Sequence, residues 1–219
     1  MQLKCILFLL LIIGCKSDVP QIVKDINNLR YNHDYIFLSI GRKDCDICQK
    51  IITSDYYQKL PLGKVYIDIL ENNFNRLLSQ AMYTYGFPTN YIINSELELL
   101  GFNIGAKDIN SNIDSIYMFG IRKFNDSILD IDNTHLLDML TFSLKSLMCY
   151  WEKDIIMAEK YALESLSKGS YFFNNYMLYL ISKKNNDKLS MIVYKKNALF
   201  HTNGVNKYIY EDLINELLT

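Results

Sequence analysis

Between Val19 and Phe102 the chain switches repeatedly between a helical and a strand-like hydrophobic period, and this alternation limits the available folds more than any other feature. Val19, Ile22, Val23, Ile26 and Leu29 recur at helical spacing, with Pro20 suited to a first turn. Tyr35-Ile36-Phe37-Leu38-Ser39-Ile40 then reads as a short buried strand, followed by a turn over 41–44. A helix is predicted from about Asp46 to Leu60, ended by Pro61 and Gly63. The second strand, Lys64-Val65-Tyr66-Ile67-Asp68-Ile69, leads through Glu71-Asn72-Asn73 to a helix with Phe74, Leu77, Leu78, Ala81 and Met82 on its apolar face. After Gly86-Phe87-Pro88-Thr89, the strands Tyr91–Asn94 and Leu97–Phe102 flank a short turn at Asn94-Ser95-Glu96, the pattern of a hairpin.

Strands joined through helices pair in parallel by right-handed crossovers, and a closing hairpin adds antiparallel strands. Residues 15–110 are therefore predicted to form an α/β domain, a mixed central sheet with flanking helices. From about residue 112 the alternation stops. Segments near 112–124, 134–150, 152–167, 171–184, 187–200 and 206–218 all read as helices, so 111–219 is predicted to be an all-α region. Four of these helices pair at a spacing of roughly 34 residues, the period of tetratricopeptide-type hairpin repeats. Ala158, Tyr161, Ala162 and Leu166 are echoed by Tyr194, Asn197, Ala198 and Phe200; an irregular bundle is the alternative. The tyrosines of this region, Tyr171, Tyr176, Tyr179 and Tyr210 among them, are expected in the core, although a groove for a protein partner is the rival possibility.

At the first strand-to-helix joint stands Cys45-Asp46-Ile47-Cys48. Two cysteines three apart at such a joint make a dithiol redox site, because a sulfur in the first turn of a helix faces backbone N–H groups that no helical carbonyl takes. Cys45 is the expected nucleophile and Cys48 the resolving partner. Half a zinc site has the same spacing, but zinc needs two further ligands. Only Cys149, His33, His135 and His201 are on offer, none at ligand spacing, so no metal is predicted. Cys149 lies in the apolar stretch Ser146–Trp151 and is expected to be a small buried hydrophobe. A structural disulfide remains open as the other use of the pair.

Residues 1–17, MQLKCILFLLLIIGCKS, carry a lysine and then an apolar run from Cys5 to Ile13. That is a secretory signal too short to span a bilayer. Ile12-Ile13-Gly14-Cys15 resembles the bacterial lipobox, which implies a signal peptide over 1–14, a lipidated Cys15 at the mature N-terminus, and export to a bacterial membrane facing the periplasm. An ordinary signal peptide, or an uncleaved anchor, is the alternative. A formal net charge of −1 and the absence of Lys/Arg runs exclude the electrostatic footprint of a nucleic-acid binder.

With Gly86-Phe87-Pro88-Thr89, whose Pro88 lies 43 positions after Cys45, the region 18–110 resembles the thioredoxin superfamily. The resemblance implies that Pro88 is cis and faces the dithiol, that the backbone of Phe87 pairs with an extended substrate, and that Phe87, Pro88 and Thr89 line the substrate site. It also implies that Lys64 is in register with the family's central-strand lysine. The chain departs from the family at Asp44, where tryptophan is frequent, at Asp46-Ile47 in place of Gly-Pro, and at Ser39, the position of a buried acid. Asp44 and Asp46 oppose a thiolate at Cys45 while Arg42 and Lys43 favour it. Two flanking aspartates favour a reductant or mild exchanger over a strong oxidant. The expected activity is thiol–disulfide exchange without metal or organic cofactor. Its expected partners are protein disulfides or dithiols, a further redox protein that recycles the site, and the membrane through Cys15. The other expectation is a non-catalytic scaffold whose helical region binds a partner.

Overall fold

The computed structural model describes residues 19–105, 107, 110, 114, 133–204 and 207–219. The predicted signal 1–14, the anchor Cys15 and the helix expected over 112–124 lie outside the described residues, apart from residue 114, as does the start of the predicted helical region at 111. The described residues begin with α1 (Gln21–Asn32) and β1 (Tyr35–Gly41), then α2 (Asp46–Ile52) and α3 (Asp55–Lys59). These are followed by β2 (Gly63–Asp68), α4 (Asn73–Ala81), β3 (Thr89–Asn94) and β4 (Leu99–Ile104). Among the described residues, the later helices are α5 (Asn133–Trp151), α6 (Ile155–Lys168), α7 (Phe172–Lys184), α8 (Lys188–Phe200) and α9 (Lys207–Leu218), with a short 3-10 turn over His201–Gly204.

The four strands form one sheet in the order β2-β1-β3-β4. β1 pairs in parallel with β2 and antiparallel with β3, and β3 pairs antiparallel with β4. The hairpin turns where Asn94 Oδ1 accepts the N–H groups of Glu96 and Glu98 and Leu97 takes a positive φ of 61°. β1 is an apolar run because both its faces are covered. Ile36, Leu38 and Ile40 face α1, α4 and the C-terminal helices, while Phe37 meets Tyr57, Leu60 and Leu62 on the other side.

The single helix predicted over 46–60 is two. α2 ends at Ile52, and the Ser54 hydroxyl accepts the Tyr57 N–H at 3.2 Å to start α3. A serine at this place satisfies an orphan donor of a new helix and outweighs the continuing helical pattern.

The C-terminal helices are bound to the sheet side by shared core and by hydrogen bonds. Thr141 Oγ1 of α5 accepts the Leu99 N–H of β4 at 2.8 Å. Tyr171 donates to the Ala81 carbonyl at 2.8 Å and meets Ser143 Oγ at 2.7 Å, and Ser79 meets Tyr210 at 2.6 Å. α5 and α6 approach closely over small residues: Ser143 meets Ser165, Ser146 donates to the Ala158 carbonyl, and Ala162 is fully buried. Tyr171, Tyr176, Tyr179 and Tyr210 are core residues, as packing predicts. Hairpin repeats are not shown: Ala162 and Ala198 are both buried, but Phe200, which a repeat would pack, is 77% exposed.

Candidate functional site

β1 carries the chain to Gly41, and the turn that follows closes with the Cys45 N–H donating to the Arg42 carbonyl at 3.1 Å. Cys45 is the N-cap of α2, and its Sγ accepts the Cys48 N–H at 3.2 Å. The two cysteines are joined as a disulfide with Cα atoms 5.2 Å apart. Their surroundings differ. Cys45 is half-buried and Cys48 is wholly buried, so an incoming thiolate meets Cys45 while Cys48 would leave into the interior. A backbone N–H pointed at Cys45 is the donor an anionic sulfur needs.

Register brings the second predicted motif to the same end of the sheet. Thr89 opens β3 opposite Ile40, the penultimate residue of β1. The Phe87–Pro88 peptide bond is cis, the Pro88 carbonyl accepts the Gly105 N–H at 2.7 Å, and Thr89 Oγ1 donates to the Gly86 carbonyl at 2.6 Å. Phe87 is half-buried against the core, and among the described residues its N–H and C=O have no backbone partner. Cys15 lies outside the described residues.

The charges around the dithiol largely cancel. Arg42 forks onto Asp44, with Nε 2.8 Å from Oδ1, and this hydrogen bond holds the Asp44 carboxyl below the usual carboxylate range. Lys43 Nζ lies 3.6 Å from the buried carboxylate of Asp68. The expected contest between Asp44 and the two basic residues over Cys45 is thus settled in pairs. Asp46 is left exposed in the first turn of α2.

Behind the sulfurs a polar row crosses the sheet: Tyr66, Ser39, Asn90 and Asn103 are consecutive partners in the register. Ser39 is fully buried and donates to Asn90 Oδ1 at 2.8 Å. The Tyr66 hydroxyl and Asn90 Nδ2 are buried without a hydrogen-bond partner among the described residues. Burial pushes the Tyr66 phenol up to about 12, with the carboxylates of Asp68 and Asp44 adding to the shift and Gln49 opposing it. Tyr66, Gly41 and Asp68 were not singled out from the sequence. Strand alternation alone puts Tyr66 and Ser39 on some face, but only the β1–β2 register makes them neighbours.

Lys64, on β2, reaches the end of α3. Its Nζ contacts the carbonyls of Tyr57, Gln58 and Leu60 at 3.2, 2.7 and 3.2 Å, so it caps the end of α3. Free carbonyls at a helix C-terminus attract a cation, which explains the placement. Cys149 is half-buried rather than fully so, and burial pushes its thiol up to about 11.

Gly41 is where the backbone of β1 passes the disulfide. A Cβ there would stand 2.9 Å from Cys48 Sγ, 3.0 Å from the Tyr66 hydroxyl and 3.1 Å from Cys48 Cβ. Cys48 is held by both a helix and a disulfide and has little room to give. Gly41→Ala is expected to destabilise the oxidised protein by about 1–3 kcal/mol, the usual cost of overpacking, read as a lower urea midpoint at unchanged slope.

An α/β fold with a mixed four-stranded sheet, flanking helices and a C-x-x-C disulfide at the end of the first strand is compatible with a thioredoxin-like fold. No family model, curated protein or solved structure matches the chain. Among the described residues no three His, Cys, Asp or Glu side chains are grouped to hold a metal ion. Among them, too, no helix is long and apolar enough to cross a membrane.

Proposed function

We propose that this chain is a thiol–disulfide oxidoreductase of the thioredoxin superfamily, exported and held at a bacterial membrane by lipid on Cys15, facing the periplasm. The observation that carries the proposal is the inequality of the two sulfurs: Cys45 half-exposed and supplied with a backbone donor, Cys48 buried behind it. A Cys45 thiolate attacks a protein disulfide, a mixed disulfide forms with one substrate thiolate released, and Cys48 attacks Cys45 Sγ to release the second and restore the Cys45–Cys48 bond. In the opposite direction a substrate dithiol is oxidised at the same site. Phe87, Pro88 and Thr89 form the substrate edge in this reading, the free backbone groups of Phe87 pairing with an extended segment. The exposed Asp46 favours a reductant or mild exchanger; a strongly oxidising reduction potential would contradict that direction.

Removing the resolving sulfur tests the proposal. Cys48→Ser is expected to accumulate mixed disulfides through Cys45, visible as thiol-sensitive adducts on non-reducing gels and absent in the Cys45→Ser, Cys48→Ser double variant. Equal adducts in both would sink the exchange reading. The rival is a scaffold with a structural disulfide and a partner-binding helical region. It draws on the buried row Tyr66, Ser39, Asn90 and Asn103, which holds no carboxylate to move protons at the sulfurs.

A further inference from the structure

When the Cys45–Cys48 bond opens, the electron pair lands on the sulfur least able to be solvated. Cys48 has no exposed surface, so a thiolate there depends on donors already built into the protein. Its own N–H is directed at Cys45 Sγ. The remaining space beside Cys48 Sγ lies over Gly41, and the Tyr66 hydroxyl borders that same space, each atom about one contact distance from where a Gly41 side chain would begin. This hydroxyl has no acceptor for its proton among the described residues, although the Gln49 side chain lies close enough to donate toward its oxygen. Buried hydroxyls are rarely left so, and each case asks for an explanation. A disulfide sulfur accepts hydrogen bonds poorly and a thiolate accepts them well, so a hydroxyl idle beside the oxidised pair gains a partner on reduction.

We propose that Tyr66 is the hydrogen-bond donor that receives the Cys48 thiolate when the disulfide opens, an inference that rests on the exchange reading above. An external thiolate from a protein dithiol attacks Cys45 Sγ, the new bond forms there, and the pair leaving the old bond becomes the Cys48 thiolate. Tyr66 stabilises that anion by donating its O–H without transferring the proton. In the other direction the same hydrogen bond keeps Cys48 ionised for its attack on the mixed disulfide. Asn90 has an unpaired donor as well, but only the Tyr66 hydroxyl shares the space over Gly41 with Cys48 Sγ.

The charged groups near the pair are few. Asp68 lies at the end of β2 beneath Lys43, and Asp44 is bound to Arg42 on the turn. α2 contributes the exposed Asp46 and the neutral Gln49, while β1 and β3 contribute the neutral Ser39 and Asn90. Asp68 and Asp44 are each matched by a cation, so the local donor dominates the ionisation of Cys48.

Selective 13Cβ-cysteine labelling of the full chain in a Cys45→Ala background lets Cys48 be titrated by NMR, separately from Cys5, Cys15 and Cys149, each assigned by its Cys→Ser variant. Tyr66→Phe removes one oxygen and keeps the ring, and is expected to raise the Cys48 pKa by about one to two units, the worth of a hydrogen bond to a charged group. With Cys45 present, collapse of a preformed mixed disulfide at pH 7 should slow by only about 3- to 10-fold, because a more basic thiolate is also more nucleophilic. Gly41→Ala, which adds a methyl 2.9 Å from Cys48 Sγ and 3.0 Å from the Tyr66 hydroxyl, should raise the pKa in the Tyr66 background and add nothing to Tyr66→Phe. An unchanged Cys48 pKa in Tyr66→Phe overturns the inference even where Cys48→Ser traps substrates. A raised pKa with no trapped substrate leaves the donor in place and removes the exchange reading instead.

Discussion

Cys45→Ser is expected to bring reduction of a model protein disulfide down to the uncatalysed rate, a loss on the order of 10³-fold or more, as removal of a nucleophile commonly does. Serine preserves the N-cap, since its hydroxyl also accepts the N–H of the residue three ahead, so helix α2 is not the casualty. What disappears is the half-exposed sulfur at which the Cys48 N–H is directed. Neither Cys48 nor Cys149 can take over. Cys48 is buried behind the site, and Cys149 sits on α5 with burial, reinforced by Glu152 and Asp154, pushing its thiol up to about 11. At pH 7 almost none of Cys149 is thiolate, and Cys149→Ser should leave turnover unchanged. The check is a turbidity or fluorescence assay of disulfide reduction with a dithiol supplied in excess. A Cys45→Ser protein within threefold of wild type would remove Cys45 from the nucleophile role and with it the exchange reading.

What could be read from the residues alone depended on how local the signal was. β1 and β2 were legible because strands covered on both faces are short apolar runs, and Tyr35–Ile40 and Lys64–Ile69 differ from the observed strands only by a residue at their ends. The C-terminal helices were legible to within a few residues: the segments read as 152–167 and 187–200 start close to Asp154 and Asp187, which cap α6 and α8. The break at Thr53-Ser54 was not, because a cap competes with a continuing apolar pattern and only packing of Tyr57 onto Phe37 decides between them. At the site, Cys45, Cys48 and Pro88 announce themselves through spacing and residue type. Tyr66 and Gly41 do not, since their importance arises from cross-strand register and from one missing side chain, neither of which a linear pattern carries. The contact of Lys64 with the carbonyls at the end of α3 is likewise visible only in the folded chain.

The hydrophobic core does not divide where the alternating pattern stops, and Tyr171 is the residue on which that can be tested. Its side chain is buried at the start of α7, touches Tyr83 and Phe173, donates to the Ala81 carbonyl of α4 and shares a hydrogen bond with the Ser143 hydroxyl of α5. Burial holds its phenol well above the usual range, so it is a donor at every pH at which the protein is folded. Tyr171→Phe keeps the ring but leaves the Ala81 carbonyl and Ser143 short of a partner, and is expected to cost about 1–3 kcal/mol. Tyr171→Ala removes the ring as well and is expected to cost about 3–5 kcal/mol, a fall in Tm on the order of 10 °C for a chain of this size. Trp151, the single tryptophan, reports the outcome because it meets Phe74 of α4 edge-on from the end of α5, with ring centroids 5.5 Å apart. One shared core predicts that tryptophan fluorescence and far-ultraviolet circular dichroism shift together along a single transition in wild type and both variants. Were the sheet and the helices independent, Tyr171→Ala would split the curve, the helical signal melting first while a second transition stayed at the wild-type temperature. A split curve would restrict the consequences of Tyr171 to the helices and leave the dithiol on a self-sufficient sheet; a single shifted transition means that loosening α7 also lowers the stability of the strands that hold Cys45 and Cys48.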